Sequence, residues 1–230
     1  NSMCEAVAPL IEKLTGGKVL LRILSNYSTS RMVKATAVFD KEGIGGEETV
    51  NNILLAYQFA ANDIYRAVTH NKGIMNGIIA VANATGQDNR AIEAAANAYA
   101  AHSGKYRSLT EWSKDEQGNL VGKLELPLSV GIVGGITQVH PIAKICTKIL
   151  GVSSAKELAG ILTATGLAQN FSALYALVTE GIQKGHMKLH ARNLAVTAGA
   201  KPHQIDEIVK KMIHENNISL VRAKELLNEI

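Results

Sequence analysis

The chain has 230 residues, 47% of them hydrophobic and 19% charged, with a formal net charge of +4 and a pI near 9.0. That balance excludes a disordered chain. With no basic cluster interleaved with aromatics, it also excludes a nucleic-acid surface, though it suits a polyanionic small molecule.

One large domain or two small ones fit this length, and either can bury a real core. Aromatic residues are only 4%, so that core must rest on Ala, Ile, Leu and Val. Two cysteines, Cys4 and Cys146, make no disulfide framework and fit a reducing, cytoplasmic compartment. No zinc-type spacing, signal segment or run of about eighteen apolar residues is found, so neither a metal nor a membrane is expected.

Residues 2 to 14 read as a helix, with Met3, Val7, Ala6, Leu10 and Leu14 on one face. Ser2 and Glu5 have capping-box spacing, Pro9 predicts a kink or a later start, and Gly16-Gly17 ends the run. Residues 18 to 24 read as a strand, stopped by Ser25-Asn26. On its own, Asn26 is a turn residue. Residues 32 to 39 alternate as a strand should, with Val33, Ala35, Ala37 and Phe39 on one side. A glycine-containing polar loop follows. An amphipathic helix then runs from Glu47 to about Asp63 on Val50, Ile53, Leu54, Tyr57 and Ala61.

Residues 69 to 90 are the chemical centre of the chain. An apolar run, 78 to 82, has Lys72 and Asn76 among glycines before it, and Asp88 and Arg90 after Gly86. Gly73, Gly77 and Gly86 permit tight turns or close approach to a ligand. Lys72 and Asp88, carried by opposite ends of a buried segment, can face each other, polarise a carbonyl and move a proton. A plain reading is also open: two loops around a buried segment, with two surface charges.

The alanine-rich stretch 89 to 102 reads as a buried central helix. A hairpin of strands near 108 to 114 and 120 to 127 follows, turning at 115 to 119. Beyond a glycine-rich apolar stretch, 130 to 137, a helix over 141 to 150 turns Ile142, Ile145, Cys146 and Ile149 inward. Ser153 or Ser154 caps the next helix, with Glu157 in the capping-box position. It runs to Gly166, and residues 167 to 182 continue helically, with the Gln169 and Asn170 amides near the break. His186 and His190 share a helix face but lack an evident third ligand, so no metal is expected. From 199 on, two amphipathic helices follow a hinge at Ala198-Gly199-Ala200. Residues 181 to 230 hold eight Lys/Arg against five Asp/Glu. The fold class is α+β.

Four segments carry a specific resemblance. They are His70-Asn71-Lys72-Gly73-Ile74-Met75-Asn76-Gly77, Ala84-Thr85-Gly86-Gln87-Asp88, Gly166-Leu167-Ala168-Gln169-Asn170, and 181 to 193 with Gly185-His186-Met187. In this order, over essentially the whole chain, they resemble 3-hydroxy-3-methylglutaryl-coenzyme A reductase of the soluble bacterial and archaeal class. The resemblance implies an NAD(H)- or NADP(H)-dependent oxidoreductase. It would interconvert 3-hydroxy-3-methylglutaryl-CoA with mevalonate and coenzyme A, as a homodimer with a shared active site.

The resemblance implies three parts. They are the end of a small nicotinamide-cofactor domain (1–26), a large catalytic domain around a central helix (27–182) and a helical flap (183–230). It implies that Lys72, Asp88 and His186 are catalytic. Arg66, Asn76, Gln169 and Asn170 would bind substrate, with Arg66 on its carboxylate. Asn1 and Asn26 would contact the nicotinamide nucleotide. The family also uses a glutamate from an N-terminal portion, which no residue here matches. A second reading is therefore a partial or inactive acyl-CoA-binding core.

Overall fold

The computed structural model describes residues 1–179 and 181–229, without the side chains of residues 138, 182–186 and 188. In chain order the elements are α1 (Ser2–Thr15), β1 (Met32–Phe39), α2 (Gly46–Asn62), α3 (Ile64–Ala84), α4 (Asn89–Ala100), β2 (Thr110–Lys114), β3 (Leu120–Pro127), α5 (Gly135–Val139), α6 (Pro141–Leu150), α7 (Ala155–Val178), α8 (Ile182–Thr197), α9 (Pro202–His214) and α10 (Leu220–Glu229). The class is the expected α+β. Two compact units form: Asn1–Asp40 with Tyr57–Asn170, and Lys41–Ala56 with Phe171–Ile230.

The first unit is built on an antiparallel sheet of order β1-β3-β2. β3 is central because the 115–119 turn pairs it with β2, while β1 returns along its other edge, Met32 opposite Pro127 and Phe39 opposite Leu120. Alternation aims Leu120, Leu124 and Leu126 of β3 into the core, all fully buried. The Trp112 indole lies across Gly122, where a Cβ would stand 2.5 Å from the ring.

α3 and α7 cross in this core. A Cβ on Gly77 would sit 2.9 Å from both the Gln169 Cβ and the Thr165 carbonyl oxygen, and one on Gly166 would meet the Ile78 side chain at 2.8 Å. Two glycines thus let the helices approach closely. Gly73 has nothing within 4 Å of its missing Cβ. A contrasted pair of substitutions follows. Gly73→Ala should stabilise by about 0.5–1 kcal/mol through helix propensity. Gly77→Ala should cost about 1–2 kcal/mol net, because overpacking against backbone outweighs that gain. Urea denaturation of both variants checks the opposite signs.

Several expectations need correction. Gly73 and Gly77 make no turn; residues 64 to 84 are one uninterrupted helix. Residues 18 to 24 form no strand: Leu20 and Leu21 are 81% exposed, and the Val19 and Leu24 N–H groups bond to the side chains of Glu12 (2.9 Å) and Asn1 (3.1 Å). α1 passes through Pro9, and its N-cap is Asn1, not Ser2. The buried centre is shared by α3 and α7; α4 is one-sided, hiding Ile92, Ala95, Ala96 and Ala100. α6 turns Ile142, Ile145 and Ile149 outward and buries Ala143. α7 does not break at Gly166. By length and composition it is also apolar enough to cross a membrane, a test that helices packed into cores pass too.

In the second unit α8, α9 and α10 share a cluster of Ala191, Ala195, Ile205, Ile208, Val209, Met212, Ala223 and Leu226. Ala198 and Ala200 pack against it, so the Gly199 turn (φ 97°) lies inside a three-helix cluster, not at the edge of a separable tail. Arg222 closes the far end through the carboxylates of Glu215, Glu225 and Glu229 at 2.6 to 3.0 Å.

Candidate active site

Asp63 starts α3 by accepting the Arg66 backbone N–H at 2.7 Å. The helix then divides the motif residues by face. His70 and Asn71 point inward, while Lys72 and Asn76, one turn apart, point outward. Asn71 binds backbone on both sides of Ser108, donating to the Arg107 carbonyl at 2.7 Å and accepting the Leu109 N–H at 2.9 Å. It therefore fixes where β2 begins.

His70 belongs to a buried network. Thr110 donates its hydroxyl to Asn170 Oδ1 at 3.0 Å, so it accepts from His70 Nε2 at 2.7 Å. That leaves Nδ1 as the acceptor, 3.5 Å from the Asn170 amide nitrogen. Trp112 Nε1 donates to the same Asn170 oxygen at 2.9 Å. Burial first, and the Arg66 charge second, push the imidazole from 6.5 down to about 4. Unfolded, it titrates near 6.5, so between these values the unfolded chain binds more protons. Stability is full above about 6.5 and falls as pH drops towards 4, by about 3 kcal/mol from this group. His70→Gln should flatten that acid slope in chemical denaturation at stepped pH; an unchanged slope would place its origin elsewhere.

Lys72 and Asn76 line a groove of about 520 Å³ with Asn83 of α3, Glu93 and Asn97 of α4, and Tyr106. Tyr106 donates to Asn97 Oδ1 at 2.8 Å, which steadies the far wall. Glu93, Asn97 and Tyr106 carry no motif. Their only sequence signal is the one-turn spacing of Glu93 and Asn97 on the polar side of an alanine-rich helix. Among the described residues, neither Lys72 nor Arg66 has a carboxylate within ion-pair distance. Arg66 is half-buried, and desolvation holds its guanidinium below the ordinary value.

Asp88 caps α4, accepting the Ala91 N–H at 3.1 Å. It lines a separate depression of about 470 Å³ with Gly86, Gln87, Asn89, Arg90 and Ile136. A hydrogen bond from Asn89 to Asn83 links the rims of the two depressions. From Lys72 to the end of α3 is about 18 Å at 1.5 Å per residue. Within one chain the structure therefore does not bring Lys72 and Asp88 together, contrary to the simplest reading of their spacing.

Gln169 is exposed beside Gly77, whereas Asn170 is 1% exposed with its amide engaged in the core network. Asn1 is the N-cap residue of α1. Asn1 accepts the Leu24 N–H, and no side chain caps the helix. Asn26 is exposed, in the turn before β1. The His186 side chain lies outside the described residues. His190 is exposed, and among the described residues no three His, Cys, Asp or Glu groups gather to hold a metal.

The chain belongs to the hydroxymethylglutaryl-coenzyme A reductase family, whose sequence model matches residues 1–191. Over 230 residues it is 58% identical to the 3-hydroxy-3-methylglutaryl-coenzyme A reductase of Archaeoglobus fulgidus, covering 100% of this chain and 52% of that protein. The probable reductase of Borreliella burgdorferi is 37% identical over 239 residues, with 100% and 55% covered. A solved class II reductase from Streptococcus pneumoniae, bound to NADPH in open conformations, superposes with a TM-score of 0.75 at 44% identity, over 100% of this chain and 57% of that one. The chain thus spans about half the length of the curated relatives it matches.

Proposed function

We propose that this chain forms the catalytic portion of a cytoplasmic hydroxymethylglutaryl-CoA reductase. It would interconvert 3-hydroxy-3-methylglutaryl-CoA with mevalonate and coenzyme A at the cost of two NAD(P)H hydrides. The observation that carries the reading is the pair of cations on α3 that meet no carboxylate among the described residues. Arg66, desolvated, and Lys72, over the groove, are separated by about 9 Å along the helix axis. Two long side chains at that separation suit a short acyl chain with a carboxylate at one end and a thioester at the other. The guanidinium fork fits the carboxylate. The ammonium fits the oxygen on which charge develops as the thioester is reduced. Asn76 and Gln169 border the same stretch and would orient the acyl group, while Asn170 supports them from the core.

A nicotinamide group, when bound, supplies the hydride. The residues at the start of α1 suit it: a helix N-terminus with no side-chain cap favours a pyrophosphate, with Asn1 at its head, and Asn26 would reach the nucleotide from the segment that Leu24 ties to Asn1. This keeps residues 1–26 as the end of a cofactor domain, 27–182 as the catalytic domain and 183–230 as a flap. His186 would protonate the departing thiolate, as a histidine near neutrality can.

Asp88 would keep the lysine charged and relay its proton. Because α3 separates Lys72 from Asp88 in one chain, the reading requires a homodimer in which one copy's Asp88 serves the other's Lys72. The test is the full-length protein supplied with the acyl thioester and NADH or NADPH. Oxidation of nicotinamide with release of coenzyme A supports the reading. Thioester binding without oxidation would leave an acyl-CoA-binding core in its place.

A further inference from the structure

Residues 130 to 137 run from buried Val130 through a glycine-rich turn into the first residues of α5. Gly134 (φ 76°) and Gly135 (φ 55°) are left-handed, and Gly131 has nothing near its missing Cβ. At Gly131 it is tied to the turn before Asp88 through the Gln87 side chain. Gln87 Oε1 accepts the Gly131 N–H at 2.9 Å, and Gln87 Nε2 donates to the Gly131 carbonyl at 2.9 Å. The amide thus imitates one rung of a sheet. The same nitrogen reaches the Thr85 carbonyl at 3.0 Å and Thr137 Oγ1 at 3.4 Å, and Thr137 donates to Thr85 O at 3.2 Å.

The consequence falls on the depression beside Asp88. Ile136, carried by the tied stretch, is the wall that faces Asp88, Asn89 and Arg90. It packs so closely on the turn that a Cβ on Gly86 would stand 3.0 Å from Ile136 Cγ2. Gly86 itself is left-handed, with φ 69°. The Asp88 carboxylate is held on one side only, by the Ala91 N–H on Oδ1. The residue is exposed, so what that wall bears on is the direction of the other oxygen.

We propose that Gln87 is a positioning residue that staples the 130–137 stretch to the Asp88 turn and so shapes the pocket in which the Asp88 carboxylate acts. The catalytic consequence rests on the function proposed above; the staple does not.

The test uses the full-length protein with two substitutions. Gln87→Leu keeps the bulk and removes every bond. Gln87→Glu keeps the acceptor for the Gly131 N–H but, when ionised, sets lone pairs against the Gly131 and Thr85 carbonyls. Protonation would return one donor. Expected for Gln87→Leu are faster hydrogen exchange at the Gly131 amide and an altered rate of carbodiimide labelling at Asp88. Its kcat should fall on the order of 10- to 100-fold, the scale of a slightly misplaced group, with little change in KM. For Gln87→Glu, kcat relative to wild type should climb as pH is lowered, a dependence that loss of packing alone does not produce.

Unchanged Gly131 exchange would overturn the staple. Faster exchange with unaltered Asp88 labelling, or with unaltered kcat, would overturn the positioning role. A wild-type protein that reduces no thioester would instead defeat the proposed function, while exchange and labelling still decide the staple and the wall.

Discussion

Lys72→Ala is expected to lose nearly all turnover and leave the protein folded. The side chain is exposed on α3 and, among the described residues, ion-pairs with no carboxylate. Its removal strands no buried charge, and alanine favours the helix, so the melting temperature should hold or rise slightly. In the proposed reaction the ammonium acts only when charge develops on the thioester oxygen. Losing such a donor costs on the order of 100- to 1,000-fold in kcat. An interaction made only in the transition state lowers kcat and leaves KM nearly alone. Steady-state kinetics of the purified full-length variant, beside a thermal melt, decides the matter. A near-normal kcat would remove Lys72 from the reaction.

Arg66→Ala should act on binding. The guanidinium is half-buried on α3 with no carboxylate partner among the described residues, so it is desolvated without compensation until an anion arrives. A ligand carboxylate placed there and then deprived of its cation should lose about 2–5 kcal/mol. Free coenzyme A lacks that carboxylate and should bind almost as before. Calorimetric titration with the acyl thioester and with coenzyme A compares the two, and equal losses would contradict the assignment. The same variant removes the positive charge that helps depress His70, so the imidazole should titrate closer to its ordinary value.

What could be read from the sequence was what short stretches decide for themselves. The hairpin over 110 to 127 was legible from its alternation and the Asp115-to-Asn119 turn. The stop at Gly151 and the start at Ser154 were legible from cap chemistry. The misreadings arose where a distant partner overruled a local signal. Gly77 looked like a breaker, but the approach of Thr165 and Gln169 makes a glycine necessary inside a helix. Residues 18 to 24 had strand composition but pair with no strand among the described residues. The stripe of Ile142, Ile145 and Ile149 was read as inward, yet α6 buries its alanine side.

The site divides in the same way. Lys72 and Asn76 were legible as one polar cluster among glycines and took their roles from the resemblance; that they sit one turn apart on a single helix was not legible. Asn170 was read as a ligand group because nothing local announces that Trp112 and Thr110 will claim its oxygen. Glu93, Asn97 and Tyr106 were not singled out because a groove wall needs no motif, only the right face of the neighbouring helix.

Trp112 gives the molecule a built-in optical reporter. It is the chain's one tryptophan, 5% exposed, lying on Gly122 and bonded through its indole N–H to Asn170. Emission excited at the indole band therefore comes from a single environment, where sheet, α3 and α7 meet. A dry ring with a fixed donor emits to the blue of one in water. Any event that loosens the His70–Thr110–Asn170 network, from acid to a cavity at the helix crossing, will redden that light without a dye or a label.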